Sequence, residues 1–63
     1  MYYNGKNYET LKEYVKGRTG KTKDDGDENF VWAIQEYYGS MGEFTEKDIN
    51  FLHKNNFTKK DFD

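Results

Sequence analysis

A six-residue pattern occurs twice near the C-terminus, and it restricts what the chain can fold into more than any other feature. Phe44-Thr45-Glu46-Lys47-Asp48-Ile49 returns thirteen residues later as Phe57-Thr58-Lys59-Lys60-Asp61-Phe62. Each copy carries a complete helix start. The Thr hydroxyl can accept from the amide three residues on, and the Asp there can reach back to the Thr amide. The apolar residues before the cap and at the fourth helical position can close a staple over the first turn. Starts at this spacing leave room for about nine helical residues and a short turn. The pattern therefore predicts a helix from Glu46 and a last helix after Thr58, which the chain end at Asp63 cuts to little more than one turn.

Sixty-three residues make one small domain, residues 1–63. A chain of this size buries only about 60% of its unfolded surface, and it is usually supported by disulfides, a metal or oligomerisation. With no cysteine there is neither a disulfide nor a thiolate metal site, and the single histidine, His53, builds no zinc site alone. No metal site and no cofactor are expected. Twelve residues are Phe, Trp or Tyr, against six larger aliphatics, Leu11, Val15, Val31, Ile34, Ile49 and Leu52. Each buried aromatic removes a large area from water. The composition thus calls for a folded domain supported by aromatic packing or by a partner, a homodimer included.

The formal net charge of −2 gives no overall attraction to nucleic acid or to an anionic membrane. No apolar run approaches a membrane span and no signal peptide opens the chain, so a cytoplasmic protein without membrane contact is expected. The residues in excess (Lys, Asn, Tyr, Phe, Asp and Glu) have AT-rich codons, which points to a low-GC bacterium or its phage.

Tyr2-Tyr3-Asn4-Gly5-Lys6-Asn7-Tyr8 sets Asn-Gly between aromatic residues. Two readings stay open there: a type I′ turn joining two very short strands, or a plain turn leading to Asn7 as a helix cap. A first helix is expected from about Tyr8 to Lys16, with Tyr8, Leu11, Tyr14 and Val15 on one side and Gly17 as its stop. Residues 17 to 27, without an apolar side chain, read as a mobile surface loop. A second helix is expected from Glu28 to Tyr38, capped by Asp27 and ended by Gly39, with Ser40-Met41-Gly42 as the turn. Phe30, Val31, Ala33, Ile34, Tyr37 and Tyr38 span one arc of it, and Trp32 lies opposite, between Gln35 and Glu36. On the third helix Ile49, Leu52 and His53 share an inner side and Phe51 points away. The expected fold is mainly α, a compact bundle of three to four helices, with the N-terminal hairpin left open.

The chemical motifs reduce to local structure. Gly17-Arg18-Thr19-Gly20-Lys21-Thr22 ends like a Walker loop, but the position that needs the first Gly is Val15, and a helix precedes it where a strand is required. Asp24-Asp25-Gly26-Asp27-Glu28 puts no Gly at the sixth position of a calcium loop from either Asp24 or Asp25. His53 has no Ser or Cys nucleophile spaced to work with it, and the acids read as caps and loop residues. A non-enzymatic protein is expected.

What remains is binding. Tryptophan is enriched at interface hot spots, so Trp32, with Phe51 and Tyr3, is a candidate protein contact. The other reading of Trp32, core covered by the 17–27 loop, the N-terminal tyrosines or a fourth helix, stays open. The basic residues Lys12, Lys16, Arg18, Lys21 and Lys23 read either as a solvated face balanced by the adjacent acids or as an alternative nucleic-acid contact. A helix-turn-helix reading of the second and third helices places Glu46 and Asp48 where base contacts are made, with only Lys47 and Lys54 in its favour.

Residues 44–62 resemble the later part of a SAM-type domain, in which an Ile-x-x-Leu helix precedes a Thr-x-x-Asp start. Residues 8–34 resemble the YozE-type SAM-like family of small bacterial proteins: an aromatic helix ending in Arg18, an Asp-rich loop with Gly (Asp24-Asp25-Gly26), then an apolar helix carrying Phe30, Val31 and Ile34. The family's Phe-Pro after that helix is absent, as is its final helix. The resemblance implies a small helical bundle that binds protein or nucleic acid, and it assigns no functional residue. Size, charge and absence of chemistry lead to the expectation of a small protein-binding module, such as a phage-encoded inhibitor of a host enzyme or defence complex. The alternative is a small DNA- or RNA-binding regulator using residues 12–23.

Overall fold

Asn4 and Gly5 both take positive φ, +50° and +79°, the pair of left-handed conformations that a type I′ turn requires. The computed structural model accordingly opens with a hairpin. Strand β1 (Tyr2–Tyr3) pairs antiparallel with β2 (Lys6–Asn7), Tyr2 opposite Asn7 and Tyr3 opposite Lys6. Two residues a side make a marginal hairpin, and Met1 reinforces it. Its carbonyl accepts from the Tyr8 amide at 2.7 Å, and its ammonium donates to the Tyr8 carbonyl at 2.8 Å and to Asn7 Oδ1 at 3.1 Å.

Helix α1 (Leu11–Thr19) starts later and ends later than expected. The cap is Thr10, whose hydroxyl accepts from the Glu13 amide at 3.2 Å. Asn7 caps nothing and stays in the hairpin. Gly17 does not stop the helix: the left-handed residue is Gly20, whose amide returns to the Lys16 carbonyl at 2.7 Å. Gly17 is small for a different reason. A Cβ there would stand 2.5 Å from the Tyr8 hydroxyl and 2.6 Å from its ring, so the bare backbone is the seat on which Tyr8 lies.

Helix α2 (Glu28–Met41) begins as expected, with Asp27 accepting from the Asn29 amide at 3.0 Å. It runs through Gly39 and ends at Gly42, whose amide bonds the Tyr38 carbonyl at 2.8 Å. The later stop lets Phe44 stack on Tyr38, ring centroids 4.5 Å apart.

Helix α3 (Glu46–Lys54) carries the full reciprocal cap of the first hexad. The Asp48 amide donates to Thr45 Oγ1 at 3.3 Å, and the Thr45 amide donates to Asp48 Oδ2 at 3.0 Å. The second hexad starts a single 3-10 turn, Lys59–Asp61, in place of an α-helix. There Asp61 accepts from the Thr58 amide at 2.8 Å.

The face that α3 turns inward differs from the expected one. Asp48, Phe51, Leu52 and Asn55 are buried, Ile49 is half-buried and His53 is exposed. Asp48 explains the rotation. Its Oδ1 accepts the Leu11 amide of α1 at 2.9 Å, which draws the first turn of α3 inward and swings Phe51 onto Phe30, centroids 6.0 Å apart.

The molecule is thus mainly helical, three helices and a short hairpin around one core. That core is Tyr8, Leu11, Tyr14, Val15, Phe30, Ala33, Ile34, Tyr37, Phe51 and Leu52. Tyr14 meets Tyr3 and Tyr8 edge-on at 5.6 and 5.7 Å, the favoured arrangement for aromatic pairs. At the other end Phe57 and Phe62 fold the C-terminal segment back onto Phe30 and Phe44.

Candidate functional site

The outer face of α2 is one of two surfaces that core packing leaves unused. Trp32 is 57% exposed there, opposite Phe30, Ala33, Ile34 and Tyr37, as its helical angle requires. The positions three and four residues away, Glu28, Asn29, Gln35 and Glu36, are exposed and polar. Glu36 accepts from Arg18 Nε at 2.7 Å and from the Tyr14 hydroxyl at 3.4 Å.

The other two candidate protein contacts are placed differently. Phe51 is only 6% exposed and stacks on Phe30, so it is core and offers no contact surface. Tyr3 is half-buried, its ring between the edge of Tyr14 and the Arg18 guanidinium, 5.6 Å from the ring centre.

The basic residues of the 12–23 stretch do not form one patch. Arg18 is held by Glu36. Lys21 bridges Asp25 at 2.8 Å and Asp27 at 3.3 Å, and those bonds hold its ammonium above the ordinary lysine range. The Asp25 carboxyl is lowered, chiefly by Lys21, and that of Asp27 chiefly by the Asn29 amide. The loop expected to be mobile is tied down: the Asp24 amide donates to Asn55 Oδ1 at 2.8 Å. Lys16 lies beside Lys6 and Glu13 on a separate hollow.

Lys12 and Lys23 instead face a groove of about 430 Å³, together with Lys47 and Lys54 of α3. Its floor and wall are built by Asp48, Asn55 and the edge of Phe51. The two polar residues are buried and their atoms fully engaged. Asp48 serves the Leu11 and Thr45 amides, and Asn55 Nδ2 donates to the Phe51 carbonyl at 3.0 Å. The groove is therefore stiff, with four ammonium groups on it.

Sequence reasoning did not bring these four lysines together, because they come from three elements separated in the chain. The visible signal was partial: Asp48 stood out as a capping residue, but not as the bond between α3 and α1. No group of three or more His, Cys, Asp or Glu side chains is placed to hold a metal ion. No helix is long and apolar enough to cross a membrane. Comparisons with protein-family models, with curated proteins and with solved structures return no match.

Proposed function

We propose that the chain is a small non-catalytic protein-binding module that docks through the outer face of α2, with Trp32 as its anchor. The observation that supports this is the exposure of Trp32 on a helix whose opposite residues are wholly buried. Ten of the twelve aromatics are buried or half-buried; Tyr2 and Trp32 are not. Tryptophans that carry binding energy are ringed by polar residues that exclude water on docking. Glu28, Asn29, Gln35 and Glu36 supply such a ring. Glu36 is already paired with Arg18, so the free charge of the ring is Glu28. The complementary partner is a protein that offers an apolar pocket with a Lys or Arg on the side that meets Glu28.

A module of this kind acts by occupying its partner's surface. A phage-encoded inhibitor of a host enzyme or defence complex, working in the cytoplasm, fits that mode of action. The test uses the wild-type chain and Trp32→Ala as immobilised baits in host lysate, with and without nuclease, followed by titration of the captured protein. The same protein should be retained in both arms. Trp32→Ala should weaken its binding by about 2 kcal/mol or more and leave the melting temperature of the free chain unchanged. Equal binding by the variant, or capture that disappears with nuclease, overturns the reading. Sedimentation of the isolated chain over a range of concentrations shows whether the partner is a second copy.

A further inference from the structure

The groove between the start of α1, the 20–27 loop and α3 is a second surface, independent of Trp32. Lys12 stands in the first turn of α1, Lys23 on the loop, and Lys47 and Lys54 on one stripe of α3. None of the four is in an ion pair; the chain's three pairs all involve Arg18 or Lys21. The single acid in the lining, Asp48, is 1% exposed and directs its carboxylate at backbone amides. A ligand entering the groove therefore meets four ammonium groups against one buried carboxylate, on a wall that does not have to rearrange.

We infer that this groove binds the phosphodiester backbone of a nucleic acid through the ammonium groups of Lys12, Lys23, Lys47 and Lys54. The lining favours a backbone over a single phosphate or a base, because its four ammonium groups are spread over three segments of the chain. The only aromatic ring in the lining, Phe51, is buried against Phe30 and presents no face for a base to stack on. What is left is point charges, the kind of contact that holds a backbone and does not read sequence.

The spacing suits a chain of phosphates. Lys47 and Lys54 lie seven residues apart, about 10 Å along the helix, the length of about three base-pair steps along a duplex axis at ~3.4 Å each. Of the five basic residues expected to contact nucleic acid, Lys12 and Lys23 belong to this surface. Arg18 and Lys21 are held by acids, and Lys16 faces elsewhere.

The experiment is fluorescence anisotropy with a labelled oligothymidylate of about twenty nucleotides, with RNA and duplex DNA of the same length as further arms and polyglutamate as a competitor. Micromolar binding is expected at about 50 mM salt. Four phosphate contacts on a single strand give a log–log salt slope of about −3, which is about fifty-fold weaker binding at about 200 mM. The double variant Lys47→Glu/Lys54→Glu should lose binding at least tenfold. Lys59→Glu/Lys60→Glu, the same change of charge on the far 3-10 turn, should stay within about twofold of wild type. Circular dichroism melts of both variants confirm that they are folded; if the first is not, Lys12→Ala/Lys23→Ala replaces it with the same expectation. The relative strengths of the three nucleic-acid arms identify the strand type. Equal losses in the two double variants, absence of binding in every nucleic-acid arm, or displacement by polyglutamate as effective as by unlabelled oligonucleotide would each overturn the inference. The last would mean that the groove takes an acidic protein segment.

Discussion

The two hexads share four of six residues and reach opposite environments. In the first, Asp48 is buried, closes the cap on Thr45 and also takes the Leu11 amide from another helix. Nine residues of α-helix extend from it. In the second, Asp61 is exposed, its carboxylate serves Thr58 alone, and the helix is a three-residue 3-10 turn. The first start leads into Phe51 and Leu52, which have a core to enter. The second leads into Phe62, which packs on Phe44 and Phe57 from a turn. A cap specifies where a helix begins. Its length and burial are decided by the packing open to the residues beyond the cap.

The largest test of that contrast is Asp48→Ala. It leaves the buried Leu11 amide without an acceptor and removes half of the cap at the exposed Thr45. It should destabilise the fold by roughly 3 kcal/mol, from the usual penalty for an orphaned donor together with a lost cap. Asp48→Asn keeps one oxygen and should be milder. Urea unfolding that gave Asp48→Ala no larger an effect than Asp61→Ala would erase the distinction between the hexads.

The same carboxylate can be watched spectroscopically. Burial first, and the Asp48 charge second, push the Tyr37 hydroxyl up to about 12. A raised value means that the neutral phenol is favoured by folding. Its contribution is complete below the ordinary tyrosine value of about 10 and is lost as pH rises through the folded value. Ultraviolet titration should therefore show one tyrosinate forming near 12, and it should form at lower pH in Asp48→Asn. Asp61→Asn should leave it in place. A Tyr37 titration insensitive to Asp48 would show that burial, with the Glu13 charge, sets it.

The smallest pair is the caps themselves. Thr45→Ala should cost about 1 kcal/mol, the usual loss for a cap. Thr58→Ala should cost a few tenths at most, because the turn it opens is three residues long and buries none of them. Equal melting temperatures for the two variants would mean that cap strength is independent of the helix it opens.

Much of the fold was legible because local chemistry decides it. Asp27 and Thr45 as caps, and the angle of Trp32 away from the core arc, depend on a few neighbouring residues. Asn4-Gly5 marks a turn, but whether strands flank it is decided only where Met1 and Tyr8 close the hairpin. The glycines were less legible, since Gly17, Gly20, Gly39 and Gly42 all offer a stop. Only Gly20 and Gly42 take the left-handed conformation, and the choice was made by the packing of Tyr8 and of Phe44. The inner face of α3 was not legible from its own periodicity, because the Asp48 bond to Leu11, across 37 positions, sets the rotation. The lysine groove was illegible for the same reason: its residues become neighbours only once α1, the loop and α3 are assembled.

The close approach of Tyr8 to Gly17 has an outcome that can be checked in sequences. Glycine inside a helix is about 1 kcal/mol poorer than alanine, so drift would ordinarily fill position 17. With the Tyr8 ring on that backbone, even a methyl group must displace it. Positions 8 and 17 therefore form a coupled pair: a chain with an aromatic at the first keeps glycine at the second, and a chain that shrinks the first is released to gain a side chain at the second. Among diverged copies of this fold, that exchange should be recognisable as paired substitution before any overall similarity is.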